Sequence, residues 1–291
     1  MKYEVFSGIL NRNIFEKSKP DLLEKISKNP FRYMGLFRPA KPKAKITQNI
    51  LHSNEIRFGD CLEYILELYF IELGYKILPK KIDFKGDTFD IDQLFSDNEN
   101  IYFVEQKVRD DHDSTKKTGQ NINFETKVEA LLNIYGEKKL RCFVYFIDKN
   151  FKKNRRYYTQ ETEMIENNYN ISAKLCYGKE FWELINHPEI WDEIVSYMER
   201  WREEIPEFPI INFDLDPKIS FEEIKDIKAS IIRKLFDYPD IREEILPVLF
   251  PENKTLVLLA SYYKNHESNL SIYKNLSEKI YEYVNSKNNK A

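Results

Sequence analysis

The eight residues IYFVEQKV (101–108) constrain this chain more tightly than any other stretch. Their β-branched and aromatic content calls for a strand within a sheet, yet Glu105 and Lys107 interrupt the apolar run. Side chains alternate between the two faces of a strand, so these two charges project to one face. Buried without partners they would cost several kcal/mol, so the fold has to bring counter-charges to them.

The nearest source of a counter-charge is the preceding segment TFDIDQLF (88–95), separated from the strand by the turn-rich SDNEN. A hairpin is expected, with Asp92 near the end of its first strand and 12 residues between Asp92 and Glu105. That spacing suits two short strands and a tight turn, and it brings two carboxylates and one ammonium together. Converging carboxylates form a hard oxygen site suited to Mg²⁺, and an adjacent lysine can orient water and offset phosphate charge. The plain alternative is a salt-bridged hairpin without chemistry.

Around this hairpin the chain reads as helices interleaved with strands. In NEIRFGDCLEYILELYFIELGY (54–75), Phe58, Leu62, Ile65, Tyr69 and Leu73 recur at helical spacing, and Gly74 is placed to end the helix. Strands are expected at 75–82, 88–95, 101–108, 141–148 and 171–177. RDDHDSTKKTGQ (109–120) reads as a polar loop leading into a helix from about Asn123 to Tyr135. A charged helical insert is expected over about 152–168. A further helix, passing through Phe181 and Ile194, is broken near His187-Pro188. The α-β-β-β-α-β-(α)-β-α order predicts an α/β fold, a mixed central sheet flanked by helices with a helical C-terminal part. Three regions follow: an arm over 1–54, helical and then basic and irregular, a core over 55–205, and helices over 206–291.

The 291 residues are 42% hydrophobic, enough for a sizeable core, and 42 Phe, Tyr and Trp argue against global disorder. Cys61, Cys142 and Cys176 fit neither a disulfide framework nor a zinc site, so a reducing cytoplasm is the expected compartment. No signal peptide or membrane span is expected. The net charge of −3 is unevenly spread, +7 over residues 1–50 and +5 over 101–160, leaving −15 elsewhere. A basic cleft on an acidic body is compatible with that pattern, as is chance clustering on solvated faces. His52, His112, His187 and His266 share no ligand spacing, and His112 is expected to be structural.

Asp92, Glu105 and Lys107 resemble the motif of the PD-(D/E)xK nuclease superfamily, with Ile91 where the motif has proline. The longer stretches KPKAKITQNILHSNEIRFGDCLE (41–63), EQKVRDDHDSTKKTGQ (105–120) and YFIDKNFKKNRRYY (145–158) resemble type II restriction endonucleases. They are similar to the family that cuts short interrupted palindromes such as GGNCC. The likeness spans about residues 30–200.

The resemblance implies a restriction-endonuclease-like core and Mg²⁺-dependent cleavage of double-stranded DNA at a short palindrome. Asp92, Glu105 and Lys107 would be catalytic, with Asp92, Glu105 and the helix residue Glu63 holding metal and Asp90 assisting. Lys116, Lys117 and Lys127 would contact DNA phosphates, Gln120 and Asn123 would meet base edges or phosphates, and Gly119 would allow close backbone approach. A homodimer follows from a palindromic site, and a cognate DNA methyltransferase from the need to protect the host. The competing expectations are a structure-specific or repair nuclease of this fold, and a DNA-binding protein with a degenerate nuclease fold.

Overall fold

The computed structural model describes residues 1–111, 113–136, 139–266 and 270–288, apart from the side chains of 114–117 and 288. In chain order it runs α1 (Tyr3–Asn11), α2 (Ser18–Lys28) and α3 (Pro42–Glu72), then β1 (Lys76–Ile77), β2 (Lys81–Phe84), β3 (Asp87–Asp90), β4 (Gln93–Ser96) and β5 (Asn100–Lys107). Next come α4 (Ser114–Tyr135), β6 (Lys139–Phe146), α5 (Arg155–Tyr169), β7 (Ser172–Tyr177), α6 (Lys179–Leu184) and α7 (Pro188–Glu204). The remainder is helical: α8 (Pro217–Ile224), α9 (Ala229–Asp237), α10 (Leu246–Leu249), α11 (Lys254–Lys264) and α12 (Ser271–Asn288). Among the described residues no helix is long and apolar enough to cross a membrane.

The chain divides into two compact units, one of Met1–Ile9 and Gly59–Ile205, the other of Leu10–Phe58 and Pro206–Ala291. Most of the N-terminal arm thus packs with the C-terminal helices as one helical body. Leu22, Leu23 and Ile26 of α2 share a core with Ile232, Leu235 and Phe236 of α9 and with Leu256 and Leu259 of α11.

The first unit is built on a five-stranded mixed sheet of order β1-β4-β5-β6-β7. β1, β4 and β5 are antiparallel neighbours, whereas β5, β6 and β7 run parallel. Parallel strands need crossovers, which α4 and α5 supply, and both helices cover one face of the sheet. On that face Ile101 and Phe103 pack with Phe124, Val128 and Leu131 of α4 and with Tyr158 and Ile165 of α5. The other face is aromatic: Phe95 stacks on Phe70 of α3 at 4.0 Å, and Tyr145 stacks on Phe181 of α6 at 4.7 Å. Such ring pairs add about 0.5–1.5 kcal/mol each beyond the burial of their area. Helices on both faces of a mixed sheet make this a restriction-endonuclease-like architecture.

Several elements differ from the sequence-based expectation. The single strand expected over 88–95 is two: β3 pairs with β2 in a separate ribbon, and β4 enters the main sheet. The chain turns between them at Ile91-Asp92, where the Ile91 N–H donates to the Lys80 carbonyl at 2.8 Å. Likewise the segment 75–82 divides between β1 and β2.

α3 begins at Pro42, within the stretch expected to be irregular. Proline opposes a helix interior but fits the first turn, where its missing N–H has no intrahelical partner to lose. The supposed loop 109–120 is helical from Ser114, so Gly119, Gln120 and Asn123 lie on α4. Weak local propensity there gives way to packing of the following turns against the sheet.

Candidate active site

β5 is buried along nearly its whole length, so its polar residues have to find partners. Pairing of Gln93 with Val104 and Leu94 with Phe103 sets the register of β4 on β5. Continuing that register by one residue places Asp92 opposite Glu105. Asp92 lies in the bend before β4, and its Oδ2 accepts the Gln106 backbone N–H at 2.8 Å. The carboxylate therefore takes a β5 amide and is anchored to the strand that carries its partners.

Lys107 closes the group. Its Nζ lies 2.9 Å from Asp92 Oδ2 and 2.9 Å from Glu105 Oε1. Glu105 Oε2 accepts from Lys127 Nζ of α4 at 2.7 Å. Asp92, Lys107, Glu105 and Lys127 thus form one chain of alternating charge. The side chains of Glu105 and Lys127 are 7% and 5% exposed, those of Asp92 and Lys107 20% and 28%, so the chain runs from an open end to a closed one.

Burial by itself would raise the Glu105 pKa, but Lys107 and Lys127 together outweigh it and hold the carboxyl below the ordinary carboxylate range. Burial would likewise lower the pKa of Lys107, whereas Glu105 and Asp92 raise it above the usual lysine value. Both groups are ionised at neutral pH. The strand ends firmly beyond them: the Ile147 N–H donates to the Lys107 carbonyl at 2.9 Å and the Asp148 N–H to the Val108 carbonyl at 2.8 Å.

Other expected site residues stand elsewhere. Glu63, on the helix that covers the opposite face, accepts from Lys80 at 3.0 Å, and Lys80 also pairs with Glu67. Partial burial raises the Glu63 pKa, Lys80 offsets part of that, and repulsion from Asp92 adds to it, so Glu63 feels the site without joining the ion-pair chain. Asp90 is on β3, mostly exposed, and lies 3.8 Å from Lys81. Lys127 was expected on phosphate; its ammonium is instead buried against Glu105. Gln120 accepts from the Tyr158 hydroxyl at 2.8 Å, and Asn123 is half-buried on α4. Lys116 and Lys117 fall in the first turn of α4, and their side chains lie outside the described ones, as does His112 entirely.

One buried neighbour of the site escaped the sequence. Asp110, fully buried, accepts from the Asn154 N–H, the Asn154 side-chain amide and the Tyr177 hydroxyl, each at 2.8 Å. It ties the segment after β5 to the segment leading into α5. In the polar run RDDHD nothing distinguishes it from its acidic neighbours.

Asp92 and Glu105 offer hard carboxylate oxygens on either side of one cationic position, the donor chemistry a divalent ion takes. Among the described residues no three Asp, Glu, His or Cys side chains are grouped closely enough to hold a metal by themselves. The pair fits a cation that keeps much of its water and shares phosphate oxygens, which is the habit of Mg²⁺.

Residues 66–202 match the family model described as "Type II restriction endonuclease, HinfI". No curated protein matches the chain, and no solved structure does. The matched span contains Asp92, Glu105, Lys107 and Lys127 and excludes Glu63. Over residues 66–202, and with the ion-pair chain inside that span, this protein is similar to the HinfI family of type II restriction endonucleases, which are site-specific deoxyribonucleases.

Proposed function

We propose that Asp92, Glu105 and Lys107 are the catalytic group, and that the enzyme uses Mg²⁺ to hydrolyse both strands of duplex DNA at a short palindromic site. The observation that carries this reading is the Lys107 ammonium held 2.9 Å from an oxygen of each carboxylate at the open end of the site. Asp92 and Glu105 would hold the metal. Bound there, Mg²⁺ acidifies water and supplies positive charge beside the attacked phosphate. Lys107, kept protonated by its two partners, acts as a fixed cation and hydrogen-bond donor toward the attacking oxygen and the phosphate rather than as a base. Lys127 holds Glu105 ionised from behind.

A palindromic site needs one active site per strand, so the working form is a homodimer whose two-fold axis coincides with that of the DNA. Lys116 and Lys117, by their place beside the catalytic strand, would contact phosphates. A methyltransferase marking the same site is its expected companion. The three cysteines, free and buried, suit a reducing cytoplasm. Cleavage mapping on a sequenced plasmid tests the reading: Mg²⁺ should give discrete fragments with ends at one palindrome, and chelation should stop cutting. Smears, or cutting confined to branched DNA, would overturn it.

A further inference from the structure

In the helical unit, the thirty residues from Lys25 to Asn54 contain seven Lys or Arg and no Asp or Glu. At the centre of this stretch the chain leaves the surface. Tyr33 and Met34 are buried in the core of that unit, and the Tyr33 hydroxyl donates to Asn49 at 3.0 Å. Two and three residues on from Met34, Leu36 and Phe37 are 90% and 98% exposed. A ring left wholly in water beside such well-buried neighbours gains nothing from folding, so it is better explained by a partner.

The loop is held in shape. Gly35, at φ +124°, makes the turn outward. Arg38 Nε donates to the Phe31 carbonyl at 2.9 Å across the base of the loop, and Pro39 fixes φ just beyond it. A loop so braced presents its tip with less ordering cost on binding. Its rim is cationic: Arg32, Lys41 and Lys43 are exposed, and α3 begins there with Lys43 and no acidic residue in its first turn. A helix N-terminus usually carries acids to offset its positive end. Here the side chains add to that charge, an arrangement suited to an anion.

We propose that this loop is a second DNA-contacting element: Arg32, Lys41 and Lys43 grip backbone phosphates while Phe37, with Leu36 beside it, inserts as an apolar wedge between base steps of the duplex. Bulky apolar side chains on a cationic rim are the equipment of proteins that unstack and unwind DNA in this way. The inference rests on the deoxyribonuclease reading, which supplies duplex DNA as the partner.

The test uses the full chain in Ca²⁺ and a fluorescein-labelled 30-base-pair duplex of arbitrary sequence, together with a closed circular plasmid relaxed by topoisomerase in the presence of the protein. Wild type should shift the plasmid's linking number, as unwinding requires. Phe37→Ser should abolish that shift and weaken duplex binding by about 5- to 100-fold, the range for losing a base-stacking side chain, with the salt slope unchanged. A Lys41→Gln, Lys43→Gln double variant should flatten the salt slope by about two units. No linking-number shift by wild type, or a Phe37→Ser protein that binds as wild type does, would overturn the wedge. So would a Phe37-dependent sedimentation mass, which would make the tip a self-association surface. Phe37-dependent binding to phosphatidylserine vesicles without effect on DNA would overturn it as well. Plasmid cleavage in Mg²⁺ by wild type is scored separately: discrete cutting with Phe37-independent binding refutes the loop alone, and absence of cutting refutes the catalytic reading alone.

Discussion

Lys127 of α4 and Glu105 of β5 meet in a buried ion pair, Nζ to Oε2 2.7 Å, at the closed end of the charge chain. Neither group has water to fall back on, so each depends on the other. Removing one partner of such a pair typically costs about 3–5 kcal/mol, and the remaining Lys107 contact should keep this case near the lower end. Lys127→Met should therefore lower stability by about 3 kcal/mol in urea titration at neutral pH. An unchanged midpoint would show that Lys127 is dispensable to Glu105.

The pair also fixes a sign in pH. The Glu105 carboxyl is held below its ordinary value, so between the two values the unfolded chain binds more protons than the folded one. Its contribution is complete above the ordinary carboxylate range and is lost as pH falls through the lower folded value. In Lys127→Met one of the two cations that hold the folded carboxyl down is gone, so the acid-side loss of stability should be smaller than in wild type. Stability curves from neutral pH downward that superimpose after a vertical shift would count against this.

Glu63 is tied to Lys80 yet repelled by Asp92. Glu63→Gln should raise the Mg²⁺ concentration for half-maximal cleavage, but by less than about tenfold, the worth of roughly 1 kcal/mol of screened Coulomb energy. A titration like that of wild type would leave Glu63 as a partner of Lys80 only.

Gly119 lies inside α4, has no positive φ, and an added Cβ would meet nothing within 4 Å. Gly119→Ala should stabilise the protein by about 0.5–1 kcal/mol through helix propensity. A loss of stability would mean that the helix does not extend to residue 114. A gain accompanied by weaker DNA binding would mark Gly119 as a place where the DNA backbone comes close.

Asp97 organises the β4–β5 turn, accepting from the Glu99 and Asn100 N–H groups at 2.7 and 2.6 Å and from the Tyr102 hydroxyl at 2.7 Å. Slight burial would raise its pKa, but these donors bring it down to about 2. Asp97→Ala should cost roughly 1 kcal/mol at neutral pH, a value that allows for the turn's exposure. The difference from wild type should shrink as pH falls below the ordinary aspartate range and through about 2. A pH-independent difference would assign the loss to chain entropy instead of charge.

The sequence made part of this site readable for a simple reason. Period-2 alternation put Glu105 and Lys107 on one face, and the hairpin spacing put Asp92 across from Glu105. Those relations are local, and they survive even though Asp92 sits in a bend rather than a strand. Lys127 was not readable as a partner of Glu105, because the two lie 22 residues apart on different elements and meet only when α4 docks on the sheet. Pro42 and Gly119 misled for the opposite reason: both residue types mark breaks by propensity, and both sit in helices where position or packing overrides it. The packing of α2 with α9 is non-local in the extreme, and no periodicity in either helix announces it.

The most direct test of the catalytic group is single-turnover plasmid cleavage in Mg²⁺ by Lys107→Ala, with DNA binding in Ca²⁺ measured alongside. Lys107 bridges both carboxylates at 2.9 Å, so its loss should slow cleavage by at least about 10²-fold while binding persists. Cleavage by Lys107→Ala at the wild-type rate would contradict the assignment of Asp92, Glu105 and Lys107 as the group that cuts DNA.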